Sequence, residues 1–152
     1  MGYQNICEII NDTIIKLKID IKNLSGVTTI DFLDIFPRSE EHKKILDKEA
    51  LLLGKIIDKT DRGNFYVFNT PIKTSFGDLQ IIKIRKLDES RLPWLSAPDF
   101  NVEDYNKFIN KYKNDKRFTY IDKPTYKGLE FKTKTNLIYF LDEPTTVYYG
   151  LR

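Results

Sequence analysis

Along the first twenty-odd residues, Ile6, Ile9, Ile10, Ile14, Leu17 and Ile21 recur at intervals of three and four. That spacing puts them on one face of a helix, and Gly26 gives it a stop. The pattern then changes to β-branched and aromatic residues in VTTIDFLDIF (27–36), which predicts a strand. Pro37 breaks it. Ser39 followed by Glu40 and Glu41 has the form of a helix N-cap with acids in the first turn, and this helix is expected to run to Leu53 and end at Gly54. Three strand-like runs follow: KIIDKT, NFYVFN after the turn Asp61-Arg62-Gly63, and LQIIKIRKL after Phe76-Gly77-Asp78.

The same order then returns. APDFNV (97–102) reads as a strand and EDYNKFINKYKND (103–115) as an amphipathic helix carrying Tyr105, Phe108, Ile109 and Tyr112. RFTYIDKP, GLEFKTK and NLIYFLDEP read as three more strands. Short matches accompany the repeat: Asp31-Phe32 precedes one helix and Asp99-Phe100 the other, while Leu87-Asp88-Glu89 and Leu141-Asp142-Glu143 close the two last strands. The expectation is an α+β protein: tandem βαβββ units form a curled mixed sheet around a cleft, with an extra N-terminal helix. Its parts are residues 1–26, 27–90 and 91–152 within one compact body.

Composition narrows the class. The 41% hydrophobic content of 152 residues suffices for one core. The 25 basic and 22 acidic residues are interspersed, unlike the dense basic patch of a nucleic-acid binder, so no nucleic-acid partner is expected. A single cysteine, Cys7, excludes an internal disulfide, and a single histidine, His42, excludes a His-rich metal site. The N-terminus lacks the apolar run of a signal peptide, and nothing in the chain has the length and apolarity of a membrane span; a cytoplasmic location is the expectation. The sequence contains no GxGxxG, GxxxxGK, GxSxG or HExxH, which argues against dinucleotide oxidoreductases, P-loop NTPases, α/β-hydrolases and zincins.

Two tandem βαβββ units resemble the vicinal oxygen chelate superfamily, the glyoxalase and extradiol dioxygenase fold, including its uncharacterised YecM-type members. The resemblance covers residues 27–148 and is one of architecture. It implies two half-barrels enclosing a cleft that commonly holds a divalent metal on a first-strand His from each unit and a last-strand Glu. The corresponding positions here carry Asp31 and Asp99 in place of the histidines, and Lys83 and Arg85 in place of the first Glu. In the last strand stand Tyr139, then Asp142 and Glu143. Cations cannot ligate a metal, and carboxylates without imidazole suit Mg or Ca better than Zn or Fe. No cofactor or metal site is therefore assigned.

Strand parity then selects the cleft residues. Ile82 and Ile84 point one way and Lys83 and Arg85 the other. Asp99 and Asn101 share a face opposite Phe100, and Asp31 lies opposite Phe32. A cleft of Asp31, Lys83, Arg85, Asp99, Asn101 and Glu130, rimmed by Trp94 and Tyr139, would bind a small anion or zwitterion, with Arg85 able to grip a carboxylate or phosphate. Whether it would also catalyse is left open. Three other readings compete: Lys83 and Arg85 as a plain ion-pair ladder with Asp31 and Asp99, a non-catalytic interaction domain that includes homodimerisation, and single-strand binding through interleaved tyrosines and lysines. Trp94, in the linker, is expected to plug the seam between the halves, His42 to sit at the solvent boundary of its helix, and Cys7 to be a small core residue.

Overall fold

The computed structural model describes residues 2–152. Helix α1 (Ile6–Asp20) starts at Asn5, whose side chain accepts from the Glu8 amide while the Glu8 carboxylate reaches back to the Asn5 amide. Strand β1 (Val27–Ile35) leads to α2 (Glu40–Leu53), capped by the Ser39 hydroxyl accepting from the His42 amide at 3.1 Å. Strands β2 (Gly54–Thr60), β3 (Gly63–Thr74) and β4 (Gly77–Arg85) complete the first unit. After a one-turn 3-10 helix in the linker come β5 (Ser96–Val102), α3 (Tyr105–Tyr112), β6 (Phe118–Asp122), β7 (Lys127–Lys132) and β8 (Leu137–Leu141). A short C-terminal helix, α4 (Thr145–Tyr148), has no counterpart in the sequence reading, because four residues carry no periodicity.

All eight strands join one mixed sheet in the order β2-β3-β4-β1-β5-β8-β7-β6. Each unit pairs its first strand parallel to its last, β1 with β4 and β5 with β8, and the units meet where β1 runs antiparallel to β5. Helices α1, α2 and α3 cover one face. Between them and the sheet lies the main core, built from Ile6, Ile9, Leu17, Leu33, Ile35, Leu46, Ile82, Ile84, Phe108 and Phe140, each nearly or wholly buried. The opposite face curls around a cleft. No helix among the described residues is long and apolar enough to cross a membrane.

Pairing registers give the internal correspondence of the halves. Gly63 faces Arg85 as Gly128 faces Leu141, and in both cases a Cβ would run into the partner strand's carbonyl, that of Ile84 or Phe140. Arg85 thus corresponds to Leu141 and Lys83 to Tyr139. Since Lys83 pairs with Asp34 and Tyr139 with Asp99, the counterpart of Asp99 is Asp34 rather than Asp31. The matching letter pairs are out of register by three residues in the first strands and by two in the last.

Two helix residues depart from expectation. His42 is 1% exposed: its Nδ1 accepts from the Arg38 amide at 3.0 Å, Nε2 donates to the Gln4 carbonyl at 3.0 Å, and Tyr3 stacks on the ring. The N-terminal segment covers the face that the charges of Glu41, Lys43 and Lys44 suggested was open to solvent. Cys7 is exposed, because Ile6, Ile9 and Ile10 take the buried stripe and position 7 falls outside it.

Candidate functional site

The cleft is a cavity of about 420 Å³ whose floor is laid by β1, β4 and β5. In β1 the register with β5 steps from Ile30–Phe100 to Phe32–Asp99, so two residues of β1 oppose one of β5 at Asp31. This bulge shifts the alternation. Beyond it Leu33 and Ile35 enter the core, and Phe32, Asp34 and Phe36 face the cleft. Parity without the bulge places Asp31 in the cleft and Phe32 away from it; the observed arrangement is different. Asp31 is 4% exposed and is occupied by Thr146 of α4, whose backbone N–H donates to Oδ2 at 3.2 Å and whose hydroxyl donates to Oδ1.

Of the other expected cleft residues, Lys83, Arg85, Asp99 and Tyr139 do line the cavity. Asn101 does not: it lies farther along β5, donating to Thr29 Oγ1 at 3.0 Å and accepting from Arg152 at 2.9 Å. Glu130 does not line it either: it lies beside Tyr139 on β7, accepting from the Tyr139 hydroxyl at 2.9 Å. Trp94 is away from the cavity, packed with Phe36, Ala97 and Leu137 and donating through Nε1 to the Thr133 carbonyl at 3.2 Å, so it holds the linker to the second unit. Missed by the sequence reading were Asp34, Arg62 of the β2–β3 turn, Arg91 of the linker, and Lys123 and Tyr126 of the β6–β7 loop. Asp34 was legible: with Leu33 and Ile35 assigned to the core, alternation alone turns it to the cleft. The others reach the cavity from turns and loops, where periodicity carries no information.

Five cations line the cavity (Arg62, Lys83, Arg85, Arg91 and Lys123) against two acids, Asp34 and Asp99. Burial holds Asp99 well above an ordinary carboxylate, with the charges of Asp34 and Asp31 adding and the Thr145 hydroxyl opposing. Burial also raises Asp34, against the pull of Arg85, Lys83 and Arg91. The balance is thus strongly positive.

Arg85 Nη1 lies 3.8 Å from Asp34 Oδ2, an ion pair without a hydrogen bond. Neither Arg85 Nε nor Asp34 Oδ1, both buried, has a hydrogen-bond partner among the described residues. An unpaired buried donor or acceptor costs about 1–3 kcal/mol, so the Arg85–Asp34 pair is held with unmet hydrogen bonds at a cost to stability. No ion pair joins Lys83 or Arg85 to Asp31 or Asp99, so the expected ladder is not formed.

The resemblance-derived metal positions do not make a ligand set. Asp31 is taken up by Thr146, Lys83 and Arg85 are cations, and no three His, Cys, Asp or Glu side chains converge on one point among the described residues.

No protein-family model matches the chain, and no curated protein matches it. A solved structure described as "Structural Genomics, Protein EC4020" superposes with a TM-score of 0.69 at 8% identity, covering 96% of this chain and 90% of that one; at that identity the likeness is one of fold.

Proposed function

We propose that this is a glyoxalase-like protein whose cleft binds a small organic anion or zwitterion without the His/Glu metal site of that superfamily. The observation that carries the reading is the lining of the cavity, five cations against two acids, with Arg85 only loosely paired to Asp34 at 3.8 Å and able to turn its guanidinium to a ligand carboxylate. This excess positive charge favours an anion over a neutral ligand and steers it inward. Phe32 and Phe65, with ring centroids 5.5 Å apart, supply an apolar wall for the rest of the molecule. The duplicated βαβββ order and the continuous sheet support the superfamily assignment.

A thermal-shift series with small carboxylates, amino acids and phosphates tests the reading. A ligand at a hundred times its Kd adds about 2.7 kcal/mol, which raises the melting temperature by several degrees in a chain of this size. The stabilisation is expected to vanish in Arg85→Ala and to weaken in Arg85→Lys, which keeps the charge but loses the planar fork. A wild-type protein indifferent to every anion would end the proposal.

A further inference from the structure

The floor of the cleft holds an amine that no carboxylate claims among the described residues. Lys83 lies on β4 directly opposite Asp34 on β1 and Phe65 on β3, so the three side chains stand in a row across the floor. Its Nζ sits over the Phe65 ring, 4.6 Å from the centroid, and makes no salt bridge among the described residues. A lysine with two acids in the same cavity ordinarily pairs with one; here Arg85 is the cation paired with Asp34, and the free Asp34 Oδ1 is left next to the amine's row. Burial lowers the Lys83 amine below an ordinary lysine, with Asp34 opposing and Arg85 and Arg62 adding to the effect. A desolvated amine beside other cations is the setting in which lysine becomes a nucleophile toward carbonyl carbon.

Resting on the anion-binding reading above, we propose that Lys83 condenses with the carbonyl carbon of a 2-oxo acid whose carboxylate lies on Arg85. Lys83 and Arg85 are two apart on one face of a strand, about 6.6 Å between Cα atoms; Arg85 reaches toward Asp34 on β1, and Lys83 leans over Phe65 on β3. Adjacent carbonyl and carboxylate groups match them, and Phe32 and Phe65 take the ligand's apolar side group. The amine nitrogen bonds to the carbonyl carbon as the π pair moves to oxygen. Two N–H protons then pass in turn through the Asp34 carboxyl to that oxygen, which leaves as water, and the product is an imine. No oxidant or reductant enters.

Phenylpyruvate is the probe, with sodium cyanoborohydride to supply the hydride that traps the imine as a secondary amine and solvent the accompanying proton. Intact-mass and peptide-mapping spectrometry are expected to find one adduct per chain, on Lys83. It is absent in Lys83→Arg, forms at least about tenfold more slowly in Asp34→Asn, and is suppressed in the unaltered protein by excess 3-phenylpropanoate, which has the carboxylate and ring but no carbonyl. Calorimetry with 3-phenylpropanoate runs in parallel. If it binds but Lys83 stays unlabelled, or labelling spreads over exposed lysines such as Lys22, the imine is overturned and the anion site stands. If neither acid binds, the anion reading falls and the imine with it.

Discussion

In the first half of the sheet Phe65, Lys83 and Asp34 stand side by side across β3, β4 and β1; in the second, Glu130, Tyr139 and Asp99 occupy the same places across β7, β8 and β5. In the second row Tyr139 and Glu130 close on each other, while Asp99 faces the cavity. Tyr139 donates to Glu130 at 2.9 Å and accepts from Arg91 Nη1 at 3.3 Å, and burial together with the Glu130 hydrogen bond raises its phenol above the ordinary range. The first row is open: among the described residues Lys83 has no carboxylate partner, and Asp34 Oδ1 and Arg85 Nε have no hydrogen bond. One scaffold therefore carries a hydrogen-bonded Tyr139–Glu130 pair on one side and unmet hydrogen bonds at Asp34 and Arg85 on the other. Proteins tolerate the second kind where a ligand is to complete it. The two units present equivalent walls, and their polar side chains are arranged differently on each.

The comparison requires the scaffolds to be equivalent, and the glycines that set the strand approach test this with the largest expected effect. Gly63→Ala and Gly128→Ala each push a methyl group into the partner strand's carbonyl, and Gly63 also holds φ at +133°, which an alanine resists. Both substitutions are expected to cost about 3 kcal/mol or more, Gly63→Ala the greater. Denaturant titration of the two variants checks this. If Gly128→Ala is silent, the second half does not depend on the approach that pairs it with the first.

How much of this was legible in the chain follows from which signals are periodic. The alternation in IIKIR exposed Lys83 and Arg85 because Ile82 and Ile84 carry the core side unambiguously. The order of elements came from helix caps and turn glycines, local signals that survive packing. The identity of the floor acid did not come through. The bulge at Asp31 resets the alternation of β1, and a single inserted residue leaves no mark in IDFLDIF: counting on from Ile30 points to Asp31, and counting from Leu33 and Ile35 points to Asp34. Asp31 is claimed instead by Thr146, from a helix too short to be read. Arg62, Arg91, Lys123 and Tyr126 converge from a turn, the linker and a loop, which only the closed fold brings together.

Asp99, the second-row counterpart of Asp34, gives the next effect. Its folded pKa is raised, chiefly by burial, so the folded state resists ionisation while the unfolded chain ionises freely near pH 4. Its favourable contribution is complete below that value and is lost as pH rises toward the raised folded pKa, at about 1.4 kcal/mol for each pH unit between the two. Asp99→Asn removes the penalty. The melting temperature of the variant relative to the wild type is expected to climb steadily as pH rises from about 4.5 and to level off once Asp99 ionises in the folded protein. A difference that stays flat with pH would show that Asp99 ionises as readily in the folded protein as in the unfolded chain.

The smallest effect belongs to the closed network. Tyr139→Phe removes the hydroxyl that joins Glu130 to Arg91 and leaves the Glu130 carboxylate with Lys132, 3.9 Å away, as its remaining partner. Glu130 is only partly shielded, its side chain 17% exposed, so water can replace part of the lost bond and the expected cost is about 1 kcal/mol. The contrast with the first row lies in the ligand response. Tyr139→Phe is expected to lower the melting temperature by a few degrees while the added stabilisation from a bound carboxylate stays as large as in the wild type, because no orphaned donor or acceptor belongs to that row. Loss of the carboxylate response in Tyr139→Phe would mean that the second wall grips the ligand as well, and the division of labour between the halves would have to be given up.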